Sequence, residues 1–255
     1  MPTSTISKSN LYKICLKLAV ILFWIAAWQF IAVIISNQTI LPSPISVLQR
    51  LIILGQTSEF WITTLYSCLR IIIGFIAGCM IGILIGIIMF TSSTIKHLLD
   101  PILILMKTVP VASFIILIFI WLNSDIIPSF IGFLIVVPII CRNIFEALRS
   151  LDKNLVEVAQ IFKLSWIQKI QVLYLPTIKN YFIAAFTTSL GLAFKAGIAA
   201  EILCTPKMSI GKEIYNAKVY LDTENIFAWT LVVIMLSLLF EIFFVKCMQM
   251  KRGKR

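Results

Sequence analysis

Long apolar runs broken by short polar stretches dominate the chain. From Lys17 to Arg50 no charged residue occurs, and Leu18–Ser36 within that stretch is almost wholly apolar. A helix crosses the hydrocarbon core of a bilayer with about 20 such residues, so the pattern predicts a first membrane span over 12–36. A signal peptide has a shorter apolar core of roughly 7–15 residues and a small-residue cleavage site. Here the run is longer and is followed by Asn37-Gln38-Thr39, so an uncleaved helix is expected. The same reasoning predicts spans over 61–90, 101–122, 126–145, 178–204 and 226–246, giving a single all-α integral membrane domain over 1–255 with six transmembrane helices.

The segments between the spans are read from their punctuation. Pro42 and Pro44 precede an apolar stretch, Val47–Leu54, for which Ser43 or Ser46 is a natural cap. Thr91–Asp100 reads as a short loop, and Leu122–Pro128 as a tight turn. Lys107 and Pro110 interrupt the third span and Lys195 lies inside the fifth. The longest polar segment is 149–177, and a second long loop covers Thr205–Asn225. Within the second span, Gly74, Gly78, Gly82 and Gly86 recur every four residues and therefore share one helix face. In lipid that spacing lets two helix backbones approach closely.

Composition agrees with this pattern and removes other classes. Of 255 residues, 60% are hydrophobic and only 13% are charged, against roughly 25% charged in an ordinary soluble domain. Too little polar surface remains for a soluble globule, and a disordered chain is charge-rich and poor in apolar residues. The net charge of +11 raises the question of nucleic acid. The positions of the charges answer it. With the N-terminus placed in the cytoplasm, fifteen of the 22 Lys and Arg fall on cytoplasmic segments, four on outer segments, and three inside spans. That asymmetry is the one that orients membrane proteins, so both termini are expected in the cytoplasm and no nucleic-acid partner is needed. The six cysteines form no CxxC pair and sit in or beside apolar runs, which suits packing rather than disulfides or metal. The single histidine, His97, lies in a polar stretch.

No phosphate-binding glycine loop, zinc-binding His pair or nucleophile elbow is present. If transport by this protein is active, the nucleotide must be bound by another chain. A membrane-embedded enzyme would need clustered His, Asp or Glu at depth, where only Glu201 and Glu241 occur. A channel or a structural membrane subunit would share the six spans and the basic inner loops.

The 149–177 segment is the most informative. Leu151, Leu155, Ala159 and Phe162 fall at helical spacing and define one apolar face. Asp152 suits the helix start, and a second amphipathic piece follows over Trp166–Leu173. Such a helix-turn-helix either lies on lipid headgroups or docks into a groove on a partner.

Its residues carry a likeness. Glu157-Val158-Ala159 is followed after three residues by Lys163, and nine residues later by Leu173, Leu175 and Pro176. This resembles the cytoplasmic loop of binding-protein-dependent ABC-transporter permeases, which reads Glu-Ala-Ala, three residues, Gly, nine residues, Ile-x-Leu-Pro. Four of the seven positions match. Lys163 is the departure, because a glycine there permits a positive φ between the two helices; a lysine either takes that conformation at a cost or imposes another turn. The segments LPSPISVL, LLDPILILMKTVPVASFIILIFIWL, VEVAQIFKLS, YLPTIKNYF, AGIAAEIL and SIGKEIYNAKVYLDTENIFAW are similar to the nitrate/sulfonate/taurine branch of that family, over roughly residues 40–245.

The resemblance implies a type I importer permease in a bacterial plasma (inner) membrane. It further implies a second permease subunit, expected as a homodimer, two cytoplasmic ABC ATPase subunits and an extracytoplasmic solute-binding protein. It implies no cofactor on this chain, ATP and Mg being held by the ATPases. Glu157, Val158, Ala159, Phe162, Lys163, Leu175 and Pro176 would then couple the chain to its ATPase, with Ala159 small enough for close approach. Lys195, Glu201, Lys107 and Arg70 are the candidates for the translocation pathway of a small anionic solute. For the basic three, pairing with a carboxylate or snorkelling is the competing expectation, since a lysine near a helix centre costs about 2.5–3.5 kcal/mol on insertion scales. Thiamine-precursor pyrimidines are carried in the same branch and stand as an alternative solute.

Overall fold

In the computed structural model, residues 8–250 are described, and among them the ordered elements are all helical. They run α1 (Lys8–Ile35), α2 (Pro44–Gly55), α3 (Ser58–Thr91), α4 (Ser93–Thr108), α5 (Val111–Ile118), α6 (Ile127–Arg149), α7 (Lys153–Ile161) and α8 (Trp166–Lys169). A π-helical turn (Ile170–Tyr174) then leads into α9 (Leu175–Cys204), followed by α10 (Ile210–Val219) and α11 (Thr223–Met250). Five stretches are long and apolar enough to cross a membrane: Cys15–Ile35, Ser58–Thr91, Ile127–Arg149, Trp166–Cys204 and Thr223–Phe244. α4 and α5 pass the same test only together; bent by 100° at their break, they form either a broken sixth span or a re-entrant loop.

Short polar residues set the helix starts. Ser43, Thr57, Ser92 and Ser209 accept from the backbone N–H groups of Ser46, Phe60, Ile95 and Lys212, satisfying donors that a helix leaves unpaired at its start. The cap at Ser92 corrects one expectation. The loop foreseen over Thr91–Asp100 shrinks to Ser92, and α4 begins at Ser93. The third span also differs from a continuous 101–122 helix. It breaks at Val109-Pro110, because proline has no N–H to donate and disfavours helical backbone at the residue before it.

Helices α3, α6 and α9 form the centre, α6 packing against both others. The four-residue glycine repeat is where α3 meets α6. A Cβ on Gly74 would overlap the Ser129 carbonyl, lying 2.7 Å from its carbon. On Gly78 and Gly82 it would lie 2.8 Å and 2.9 Å from the Cβ atoms of Val136 and Ile140, and on Gly86 2.7 Å from the Cys141 carbonyl oxygen. The core beside this seam is built from Ile71, Phe75, Val136, Ile140, Leu190 and Phe194. The Phe75 and Phe186 rings meet edge to face at 4.7 Å, and Phe186–Phe244 and Phe194–Phe240 tie α11 to α9.

The periphery is bare by comparison. Only 6% of the apolar window of α1 is buried within the chain; the Trp28 indole N–H donates to the Pro42 carbonyl at 3.1 Å, and its ring packs on Phe227. At one end of the bundle α2 is fastened to the turn before α11 by Arg50–Asp222 at 3.1 Å. Elsewhere, Arg142 of α6 reaches Asp100 of α4 at 3.1 Å, and the Lys96 ammonium lies 5.3 Å from the Phe145 ring centre.

Candidate functional site

The loop after α6 is a compact helical hairpin. Asp152 caps α7 by accepting from the Asn154 N–H at 2.9 Å. At the other end of α7 the Leu164 N–H returns to the Ala159 carbonyl and the Lys163 N–H to the Gln160 carbonyl. These two bonds form a Schellman stop, which places one residue in the left-handed region. That residue is Lys163, at φ +50°. The turn therefore keeps the geometry a glycine favours and carries the lysine in it. Ser165 and Gln168 then exchange reciprocal side-chain-to-backbone hydrogen bonds, a capping box that starts α8.

The apolar side chains of this hairpin are not buried as one face. Ala159 is only 2% exposed and faces into the chain, whereas Ile161 (76%), Phe162 (74%) and Trp166 (69%) stand out from it, with Leu155 and Val158 also exposed. The small Ala159 side chain fits the hairpin against its own chain, while the larger neighbours stand outward. Glu157, Leu175 and Pro176 are exposed. No break separates the hairpin from the fifth span. Helix α8, the π turn and α9 run on as one 39-residue stretch, Trp166–Cys204.

Along α9 one side is open. Ala184, Thr188 and Lys195 are exposed, and a Cβ on Gly191 would meet nothing within 4 Å. These positions recur at three- and four-residue steps and so share a face. None of the ion pairs among the described residues involves Lys195, and none involves Lys107, which is exposed in the last turn of α4 beside the break.

Glu201 and Arg70, candidates for the path, lie together, and Arg70 takes carboxylate partners as the competing expectation had it. Glu201 is 0% exposed. Its Oε2 accepts from the Ser67 hydroxyl at 2.8 Å and from the Gly211 N–H at 3.1 Å. Ser67 also accepts from the Ile210 N–H at 2.9 Å. The Arg70 guanidinium lies 3.7 Å from Glu201 Oε1 and donates to Asp125 at 2.8 Å and to the Lys207 and Met208 carbonyls at 2.8 and 3.1 Å. The two residues thus belong to a polar knot joining α3, α9, α10 and the turn before α6, buried at Glu201 and open at Asp125. Ser67, Asp125 and Gly211 were not foreseen. Glu201 and Ser67 are 134 residues apart, so no local pattern signals the knot; the one clue was an unpaired Glu and Arg inside apolar spans.

Among the described residues no group of three or more His, Cys, Asp and Glu could hold a metal.

Comparison with known proteins bears on these features. The family described as the binding-protein-dependent transport system inner membrane component matches residues 78–249. The chain is 28% identical over 209 residues to the putative aliphatic sulfonates transport permease protein SsuC of Bacillus subtilis, covering 80% of this chain and 74% of that one. It is 23% identical over 237 residues to the taurine transport system permease protein TauC of Escherichia coli (90% and 86% covered). With the nitrate import permease protein NrtB of Synechococcus elongatus it shares 28% over 203 residues (75% and 71% covered).

Proposed function

The chain belongs to the binding-protein-dependent transport system inner membrane components, and from that premise we propose that it forms the translocation path of an importer for a small anionic solute of the sulfonate, taurine or nitrate kind. The solutes named for three of its relatives share a compact oxyanion group. The observation that carries the reading is Lys195, a cation held open and without an ion pair on the span that continues unbroken from the cytoplasmic hairpin. An unpaired charge at membrane depth is costly against lipid, so this face of α9 is turned to a watered path and not to acyl chains. Lys107, beside the break in the third span, adds a second cation of the same kind.

Two copies of the chain pair in the membrane, with both termini in the cytoplasm as the charge asymmetry requires. The hairpin then lies on the cytoplasmic side. Its outward side chains Val158, Ile161, Phe162 and Trp166 seat in an apolar groove of a partner ATPase, with Glu157 at the edge for a basic partner residue. ATP and Mg are held by that partner. Closure of the ATPase pair moves α7 as a rigid piece and shifts α9, while a solute-binding protein delivers the anion from outside.

One experiment tests both halves. The chain is co-expressed with an ATPase and a binding protein from neighbouring reading frames and reconstituted in vesicles, as wild type, Phe162→Asp and Lys195→Met. Phe162→Asp is expected to abolish co-purification of the ATPase without lowering the melting temperature of the permease. Lys195→Met is expected to keep the assembly and lose most uptake of sulfonate and nitrate. Full ATPase association in Phe162→Asp removes the docking role, and unchanged uptake in Lys195→Met removes the anion path.

A further inference from the structure

The knot around Glu201 is more elaborate than packing demands. A buried carboxylate is costly to form unless every lone pair finds a donor, and hydrophobic side chains would fill the same volume more cheaply. Here the carboxylate is only half satisfied. Oε2 holds two hydrogen bonds, while the buried Oε1 holds none and faces the Arg70 guanidinium at 3.7 Å, beyond hydrogen-bond reach. Arg70 is engaged elsewhere: its bonds to Asp125 and to the Lys207 and Met208 carbonyls hold it toward the loop between α9 and α10. One guanidinium is therefore shared by two carboxylates and a loop. A movement of under about 1 Å would bring it within ordinary bonding distance of Oε1, at the expense of its bonds to the loop carbonyls.

The loop itself has little slack. Thr205 and Met208 both sit at positive φ, +45° and +48°. Gly211 approaches so closely that a Cβ there would lie 2.5 Å from the Glu201 carbonyl carbon and the Ile202 nitrogen. Displacing α10 must therefore disturb the bond from the Gly211 N–H to Glu201 and the grip of Arg70 on Lys207 and Met208 together.

We propose that Arg70 and Glu201 are positioning residues of the transport cycle, which pass a displacement of the outer helix α10 to the translocation helix α9 by a change in the partners of Arg70. This rests on the transport reading above, in which α10 faces the side where a solute-binding protein docks. Two arrangements follow. In one, seen here, Arg70 holds the loop and Asp125. In the other it closes on Glu201 and releases the loop, leaving the Ile210 N–H to Ser67 bond as the hydrogen bond that still ties α10 to α3 in this knot while drawing α3 and α9 together.

The test uses the reconstituted complex with wild type, Glu201→Gln and Arg70→Lys. Glu201→Gln keeps an acceptor for Ser67 and Gly211 but removes the charge that attracts Arg70; Arg70→Lys keeps the charge and loses the fork of donors. The readout is the ratio of ATP hydrolysis with and without loaded binding protein, with the melting temperature as a check on folding. Glu201→Gln is expected to lower that ratio on the order of tenfold, within the range of coupling between linked sites, at unchanged basal hydrolysis. Arg70→Lys is expected to fall between it and wild type. A wild-type ratio in Glu201→Gln overturns the proposal, as does an equal fall of basal and stimulated hydrolysis with a lowered melting temperature, which marks a structural role only. If the wild-type complex neither hydrolyses ATP nor takes up solute, the transport reading fails. Hydrogen exchange on the full chain in detergent then decides the knot: Glu201→Gln, which removes the arrangement in which Arg70 lets go of the loop, must slow exchange at residues 205–210, and exchange equal to or faster than wild type refutes it.

Discussion

Gly74→Ala offers the sharpest check on how the bundle is held together. The added Cβ would overlap the Ser129 carbonyl and lie 2.7 Å from its carbon and 2.8 Å from its Cα, where carbons prefer about 3.5–4.0 Å. The contact is with backbone, so no side-chain rotation relieves it, and α3 and α6 must part by roughly 1 Å. A gap of that size forfeits about a quarter to a half of the dispersion attraction of the atoms lining it, here those of Ile71, Phe75, Val136 and Ile140. It also strains the hydrogen bond from the Ser129 hydroxyl to the Arg70 carbonyl at 2.7 Å, a bond worth about 1 kcal/mol. Overpacking in a tight core costs about 1–3 kcal/mol, so a total near 3 kcal/mol is expected. At about 2–4 °C per kcal/mol for a chain of this size, the melting temperature in detergent should fall by roughly 6–12 °C. Gly132→Ala is the internal control. It lies on α6 across the same interface, and its Cβ would meet nothing nearer than the Ile71 carbonyl oxygen at 3.9 Å. That variant should melt at or above wild type, since alanine is the better helix former by about 1 kcal/mol. A Gly74→Ala protein that melts with wild type, or a Gly132→Ala protein equally damaged, would refute the close-approach argument.

Two further outcomes concern single residues. Lys163→Gly should stabilise the hairpin by about 1 kcal/mol, because the left-handed conformation costs an L-residue about 1–2 kcal/mol, and should leave ATPase association intact; Lys163→Val should do the opposite on both counts, as read by proteolysis of the hairpin and co-purification. In α10, burial first and the Glu59 carboxylate second raise the Glu213 carboxyl above its usual range, with Lys212 opposing. Its ionisation therefore works against the fold at neutral pH, and that penalty is relieved as pH falls through the raised value. Glu213→Gln should melt higher than wild type at pH 7, with the difference shrinking on acidification; a difference that grows on acidification contradicts this placement.

What the sequence revealed divides along a physical line. The spans and the packing role of the glycine repeat are encoded by local periodicity, so they were legible. The cap at Ser92 was not, because Thr91–Asp100 is polar enough to look like loop while a single hydroxyl suffices to start a helix there. The hairpin was legible as a motif, but not the direction in which its side chains face: Leu155, Ala159 and Phe162 share a helical stripe, yet only Ala159 turns inward. Periodicity marks which residues lie together on a helix and leaves unstated which neighbour they meet. Glu201 and Arg70 stood out as charges in apolar runs, and a path was the natural expectation. Ser67 lies 134 residues from Glu201 and Asp125 55 residues from Arg70, so only the three-dimensional arrangement shows that these charges share one polar knot.

The π turn over Ile170–Tyr174 carries a consequence for how this chain can vary. It lies between the hairpin and the face of α9 that bears Lys195. Each residue in an α-helix turns the next by about 100°, so inserting or deleting one residue anywhere from Ser165 to Lys195 would swing the lysine to a different side while Phe162 kept its place. The wider turn already holds one residue more per hydrogen-bonded loop than an α-helix does. The segment is accordingly bound by its length as well as by its composition: even where an exposed side chain can be exchanged, a change of a single residue in number would put the two ends of the rod out of phase.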